Sequence, residues 1–116
     1  MKRNLTILAL AAFFAVAWTA VCFAGGPEGG NERKGKYTYR KIYNSCANRG
    51  EVESRSPVIN PSDKTMAQWD RIFQKKDFSD FKCRQEWDKL SEQDLLDIYA
   101  YLYKHAADSP TPAKCK

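Results

Sequence analysis

Gly35-Lys36-Tyr37-Thr38-Tyr39-Arg40-Lys41-Ile42-Tyr43-Asn44-Ser45-Cys46-Ala47-Asn48-Arg49-Gly50 sets Tyr39, Ile42, Tyr43 and Cys46 at i, i+3, i+4 and i+7. That spacing lines up one apolar face of an α-helix. Gly50 can end the helix because it accepts a left-handed backbone. A cysteine near the end of the inward face is thus the first chemical landmark of the chain.

Working outward, residues 25–34 are glycine-rich and polar and read as a flexible lead-in. Residues 51–59 carry charges and Pro57 without a period and read as loop. A second helix is expected from Asn60 as N-cap, with Pro61 at the first helical position and Asp63 at the third. Its apolar side is Met66, Trp69, Ile72 and Phe73. Residues 77–83 form an aromatic connection around Phe78, Phe81 and Cys83, followed by a short helical turn near Glu86 to Lys89. The last helix has a capping box of Ser91 and Asp94, and its apolar face is Leu95, Ile98, Tyr99, Leu102 and Tyr103. Pro110 and Pro112 end it and lead to Cys115. The pattern predicts an all-α domain of three main helices with long connecting loops, over residues 35–108, with 109–116 as a tail.

The start of the chain reads as an export signal over residues 1–24. Lys2 and Arg3 precede an apolar stretch from Leu5 to Val21, and Cys22-Phe23-Ala24 offers small residues for cleavage before Gly25. The stretch is shorter than most membrane spans, so no stable span is expected after cleavage. Cleavage leaves 17 cations against 14 acids, a net charge of +3. Interleaved signs such as Asp70-Arg71 and Lys75-Lys76-Asp77 read as a solvated surface. No nucleic-acid motif is present, and export argues against such a partner. About 92 residues remain, enough for one small domain. A domain of that size often needs a cofactor or cross-link to complete its core.

These segments resemble the class I family of small periplasmic c-type cytochromes of anaerobic bacteria. The run Gly35 to Cys46 is similar to that family's N-terminal helix, and Leu90 to Leu102 to its C-terminal helix. Lys64-Thr65-Met66-Ala67-Gln68-Trp69 looks like an intervening segment of such proteins. The resemblance implies a cytochrome c-like fold and one-electron transfer in the periplasm. The family attaches haem through Cys-x-x-Cys-His, which supplies two thiols and an iron-binding imidazole. Here the motif reads Cys46-Ala47-Asn48-Arg49-Gly50, so Arg49 and Gly50 replace the second Cys and the axial His. Cys46 and Met66 are the positions the resemblance would give to haem, and no cofactor is expected to be held.

Three cysteines follow the signal in an oxidising compartment, and all three pairings are open. Cys83 with Cys115 is the expected bond, because Cys46 occupies the attachment position on an inward stripe while the others lie in loop and tail. Closing that loop stabilises by about 3 to 4 kcal/mol in the chain-entropy model. The only histidine, His105, is expected at the C-terminal end of the last helix, where it complements the helix dipole.

No Ser-His-Asp set, Cys/His metal cluster or phosphate loop is present, the carboxylates fall on predicted polar helix faces, and no enzymatic activity is expected. The expectation is an exported, haem-free accessory or interaction subunit whose partner is a redox protein or cytochrome complex. The alternatives are an electron carrier binding haem through Cys46, Met66 or His105, and a module binding a small ligand in the vacated pocket. A thiol-redox role lacks the Cys-x-x-Cys spacing that such chemistry uses.

Overall fold

A computed structural model describes residues 26–113. The expected signal segment, residues 1–24, and Cys115 lie outside the described residues. The described chain is all-α: α1 (Glu32–Asn48), α2 (Met66–Lys75), α3 (Arg84–Asp88) and α4 (Glu92–Lys104), with 3₁₀ turns at Pro61–Asp63 and Ser79–Phe81. None of the helices described is long and apolar enough to cross a membrane.

The two long terminal helices form the base of the fold, meeting at Gly35. A Cβ at this position would lie 1.9 Å from the Asp97 carbonyl oxygen, so only glycine lets the two backbones come this close. Around the crossing, Tyr39, Ile42 and Tyr43 of α1 pack with Ile98 and Leu102 of α4 in a single buried core. The inward stripe expected of the first helix is therefore observed, with Cys46 fully buried at its end.

α1 begins at Glu32, three residues before the expected start. Asn31 caps it by accepting the Lys34 N–H at 3.0 Å, and its own N–H donates at 2.9 Å to the buried Asp97 carboxylate. The lead-in is also held further back. Gly26 donates to Asp70, and Gly30 lies against the Leu96 carbonyl. Residues 26–34 are thus docked on α4 and α2 instead of forming a free leader.

The expected second helix is divided in two. Asn60 and Asp63 form a cap at Pro61, but Lys64 is extended, and Thr65 starts α2 anew with Gln68 as its capping-box partner. Two capping signals in tandem compete, and the later one governs the longer helix. The apolar side is as expected, with Trp69 and Phe73 buried and Met66 and Ile72 partly so. In α4, Ser91 and Asp94 form the expected capping box.

Aromatic rings fill the space between the α1–α4 base and the connecting segments. Phe81 and Trp87 lie 4.8 Å apart, Phe78 stacks on Trp87 at 4.6 Å, and Phe73 stacks on Tyr99 at 4.8 Å. Their polar tips tie the loops down. Trp69 Nε1 donates to the Pro61 carbonyl and Tyr43 Oη to the Phe81 carbonyl, both at 2.9 Å. Each such bond satisfies a buried donor and fixes a loop carbonyl at once. The buried Trp87 indole N–H has no partner among the described residues.

The chain beyond α4 is also held. Thr111 Oγ1 donates to the Lys104 carbonyl at 3.1 Å and the Ala113 N–H to that of His105 at 3.0 Å, folding residues 109–113 back over the end of α4. Backbone and hydroxyl bonds hold it there.

Gly35→Ala is expected to cost about 3 kcal/mol or more, because overpacking against rigid backbone cannot be relieved by a rotamer change. Gly50→Ala, with nothing within 4 Å of its Cβ but a φ of +90°, should cost only about 1 kcal/mol. Urea unfolding of the two variants measures the difference.

Candidate functional site

The chemistry of the described chain converges at the end of α1. Cys46, in its last turn, and Cys83, which begins α3, form a disulfide with a Cα–Cα distance of 5.7 Å. This replaces the expected Cys83–Cys115 bond. Cys83–Cys115 is the pairing favoured from loop and tail placement among three open ones; the fold instead brings Cys83 directly over Cys46. Both cysteines are fully buried.

Each cysteine is followed three residues later by a charge, Arg49 after Cys46 and Glu86 after Cys83. Joining the sulfurs brings these opposite charges together. Arg49 Nε donates to Glu86 Oε2 at 2.9 Å and Nη2 to Oε1 at 2.7 Å, a two-bond fork. Nη2 also reaches Glu51 at 2.7 Å and lies 3.8 Å from the Cys46 sulfur. Glu51 in turn accepts the Cys83 N–H at 2.9 Å. Arg49 thus braces the cross-link on both sides.

The electrostatics follow from this arrangement. Hydrogen bonds from Arg49 hold the Glu86 carboxyl below the usual carboxylate range, against the opposing effect of burial. Arg49 does the same for Glu51, with help from the Cys83 N–H. The same bonds push the Arg49 guanidinium further up. Away from the cross-link, burial pushes the Tyr43 phenol up to about 12.

The corner carrying Cys83 has an unusual backbone. Lys82 (φ 58°, ψ −169°) lies in a region nearly reserved for glycine, and Cys83 (φ 56°, ψ 39°) is left-handed. The reversal lets Phe81 and Cys83 both point into the core while Lys82 faces solvent. The disulfide and the Glu51 hydrogen bond hold the corner in place.

Met66 is partly buried at the first position of α2, packed against the core, and its N–H donates to Asp108 at 2.8 Å. His105 caps the C-terminal end of α4 as its position suggested. It lies at the surface, with Nε2 3.3 Å from Glu32 and Nδ1 2.8 Å from the Thr111 carbonyl. Cys46, Met66 and His105 are engaged separately. The sequence reading missed the buried carboxylates Glu86 and Asp97, which it placed on polar faces. The repeated cysteine-plus-three charge was the signal for Glu86.

Sulfur atoms of Cys46 and Cys83 and a Glu86 oxygen lie within 4.8 Å of one another. In the cross-linked state the sulfurs offer no thiolate and Arg49 occupies the carboxylate, so the group is a structural brace. Burial also keeps the disulfide from attacking thiols, since exchange requires access. Fold and site together define an all-α domain whose aromatic core is closed by a braced disulfide. Comparison with protein-family models, curated proteins and solved structures found no match.

Non-reducing peptide mapping is expected to recover a Cys46–Cys83 cross-linked peptide. Replacing both cysteines by Ser should cost about 4 kcal/mol for a loop of 37 residues, read by urea unfolding. Lys82→Gly should raise stability by about 1 kcal/mol by relieving the corner. The carboxylates predict the acid response. Depressed folded pKa values contribute stability above the unfolded carboxylate range, about pH 4, which is lost as pH falls toward the folded values. Arg49→Met leaves Glu86 without its partner, so its pKa rises. Acid unfolding followed by circular dichroism should then begin at higher pH.

Proposed function

We propose that the chain is a haem-free, cytochrome c-like protein, exported to the periplasm, that serves as an accessory or interaction subunit for a redox protein or cytochrome complex. The observation that carries this reading is the fate of Cys46. The sulfur at the position the resemblance assigns to attachment is bonded to Cys83, and Tyr43, Trp69 and Phe81 of the same core are completely buried. The residues do not fit a haem c site. Cys46 has no free thiol, Gly50 has no ligand atom, and His105 is held at the surface by Glu32 and the Thr111 carbonyl. The association with electron transfer rests on the resemblance of α1, α4 and the Lys64–Trp69 segment to the cytochrome family. A disulfide and a closed aromatic core supply the cohesion that a cofactor would otherwise give so small a domain.

Protein exported in a host with c-type haem maturation is expected to be colourless, with the mass of the chain cleaved after Ala24 less two hydrogens. A Soret band with a haem-sized mass increase would overturn the reading. The double substitution Arg49→Cys with Gly50→His is expected to remain colourless in the same host, because Cys46 is engaged and aromatic side chains close the space beside it. Affinity purification from native cells should recover a cytochrome or redox enzyme, and recovery of neither would count against the interaction role.

A further inference from the structure

Charge is segregated along this chain in a way its modest net value conceals. Between Glu32 and Glu51 there are six cations, Arg33, Lys34, Lys36, Arg40, Lys41 and Arg49, and no acid. Arg49 is spent on the cross-link. The other five are exposed on the outer side of α1, and none forms an ion pair among the described residues. Tyr37 lies among them, 66% exposed, with Lys41 Nζ 6.0 Å from its ring centre.

This face works against the stability of its own helix. Arg33 and Lys34 sit in the first turn, where the helix dipole disfavours cations, and Lys36 and Arg40 form a like-charge i, i+4 pair. Beside it runs a groove of about 310 Å³ with Ile42 and Leu90 among its lining residues and Tyr37, Lys41 and Lys89 at its sides. Of the two acids there, Glu86 is ion-paired with Arg49 and Asp94 accepts only the Ser91 N–H, so Lys41 and Lys89 outnumber the one carboxylate without an ion pair. The groove therefore offers cations and apolar surface to an incoming group.

We propose that the outer face of α1 and this groove dock an acidic segment of a partner protein that inserts one apolar side chain between Tyr37 and Leu90. Two other occupants fit less well. A membrane would need an apolar stripe to insert, and that of α1 is buried against α4. A second copy would set like charges against each other across a self-complementary contact. Complementary charge steers the partner and fixes its register, and the groove adds selectivity for the side chain. This inference rests on the interaction role proposed above and names the chemistry of its partner.

The test uses the mature chain and three probes: a Glu/Asp-rich peptide of about a dozen residues bearing one Phe, its Phe→Ala version, and phosphatidylglycerol vesicles. Fluorescence anisotropy follows the peptides and co-sedimentation the vesicles. Lys34→Glu with Lys41→Glu is expected to weaken peptide binding about tenfold or more. Arg71→Glu with Lys75→Glu, which makes the same charge change on α2, should shift it less than about threefold. Removing the Phe should weaken binding about tenfold, as loss of a buried apolar group does. Equal losses for both charge reversals, indifference to the Phe, or vesicle binding without peptide binding would each overturn the docking site. A native cytochrome recovered equally with wild type and with Lys34→Glu/Lys41→Glu would also refute the site while leaving the interaction role standing. Recovery with neither, alongside Phe-dependent peptide binding, would refute that role and uphold the site.

Discussion

Backbone touches backbone where Gly35 of α1 lies against the Asp97 carbonyl of α4, and the remaining elements are laid over that crossing. The close approach turns Tyr39 and Tyr43 inward next to Ile98 and Leu102. It also puts the Asp97 carboxylate within reach of the Asn31 N–H and of Gln93 Nε2, so a buried charge becomes the anchor for the N-cap of α1. A buried carboxylate would be costly without such partners. Here it serves both helices, and it explains why the residues before Glu32 are docked on the fold.

The Cys46–Cys83 cross-link does on the far end of α1 what the glycine contact does near its start. It fastens the chain after the second 3₁₀ turn onto α1, and Arg49 ties Glu51 and Glu86 to the same point. Entropy lost by the unfolded chain supplies much of the stabilisation. That gain opposes the cost of the glycine-like backbone at Lys82. The aromatic packing and the cross-link meet at one corner: Phe81 and Cys83 are both buried on either side of Lys82.

The helices were legible because periodicity and caps are local. Tyr39, Ile42, Tyr43 and Cys46 announced the buried stripe, and Ser91 with Asp94 announced the start of α4. The break at Lys64 was harder to read, since two capping signals lie within a few residues and only packing decides which starts the longer helix. The disulfide was misassigned for a different reason. Pairing depends on which loop folds over Cys46, and that is set by the left-handed corner at Lys82 and Cys83, which neither residue type announces. Asp97 and Glu86 looked like surface carboxylates because their partners, Asn31, Gln93 and Arg49, are chosen by the tertiary fold.

At the surface of so small a domain, the distribution of charge matters more than the total. Beyond Arg49 the cations and acids of the described chain are mixed: Lys76 meets Glu92, and Lys104 meets Glu32. Such exposed pairs contribute little to stability, but they neutralise the local field. The outer face of α1 lacks this neutralisation from Arg33 to Lys41, about two and a half turns of helix. Its field therefore extends into solvent about as far as salt allows, roughly 10 Å at ordinary ionic strength. The helix that holds the core together with one face thus presents uncompensated charge on the other, the basis of the docking proposed for it.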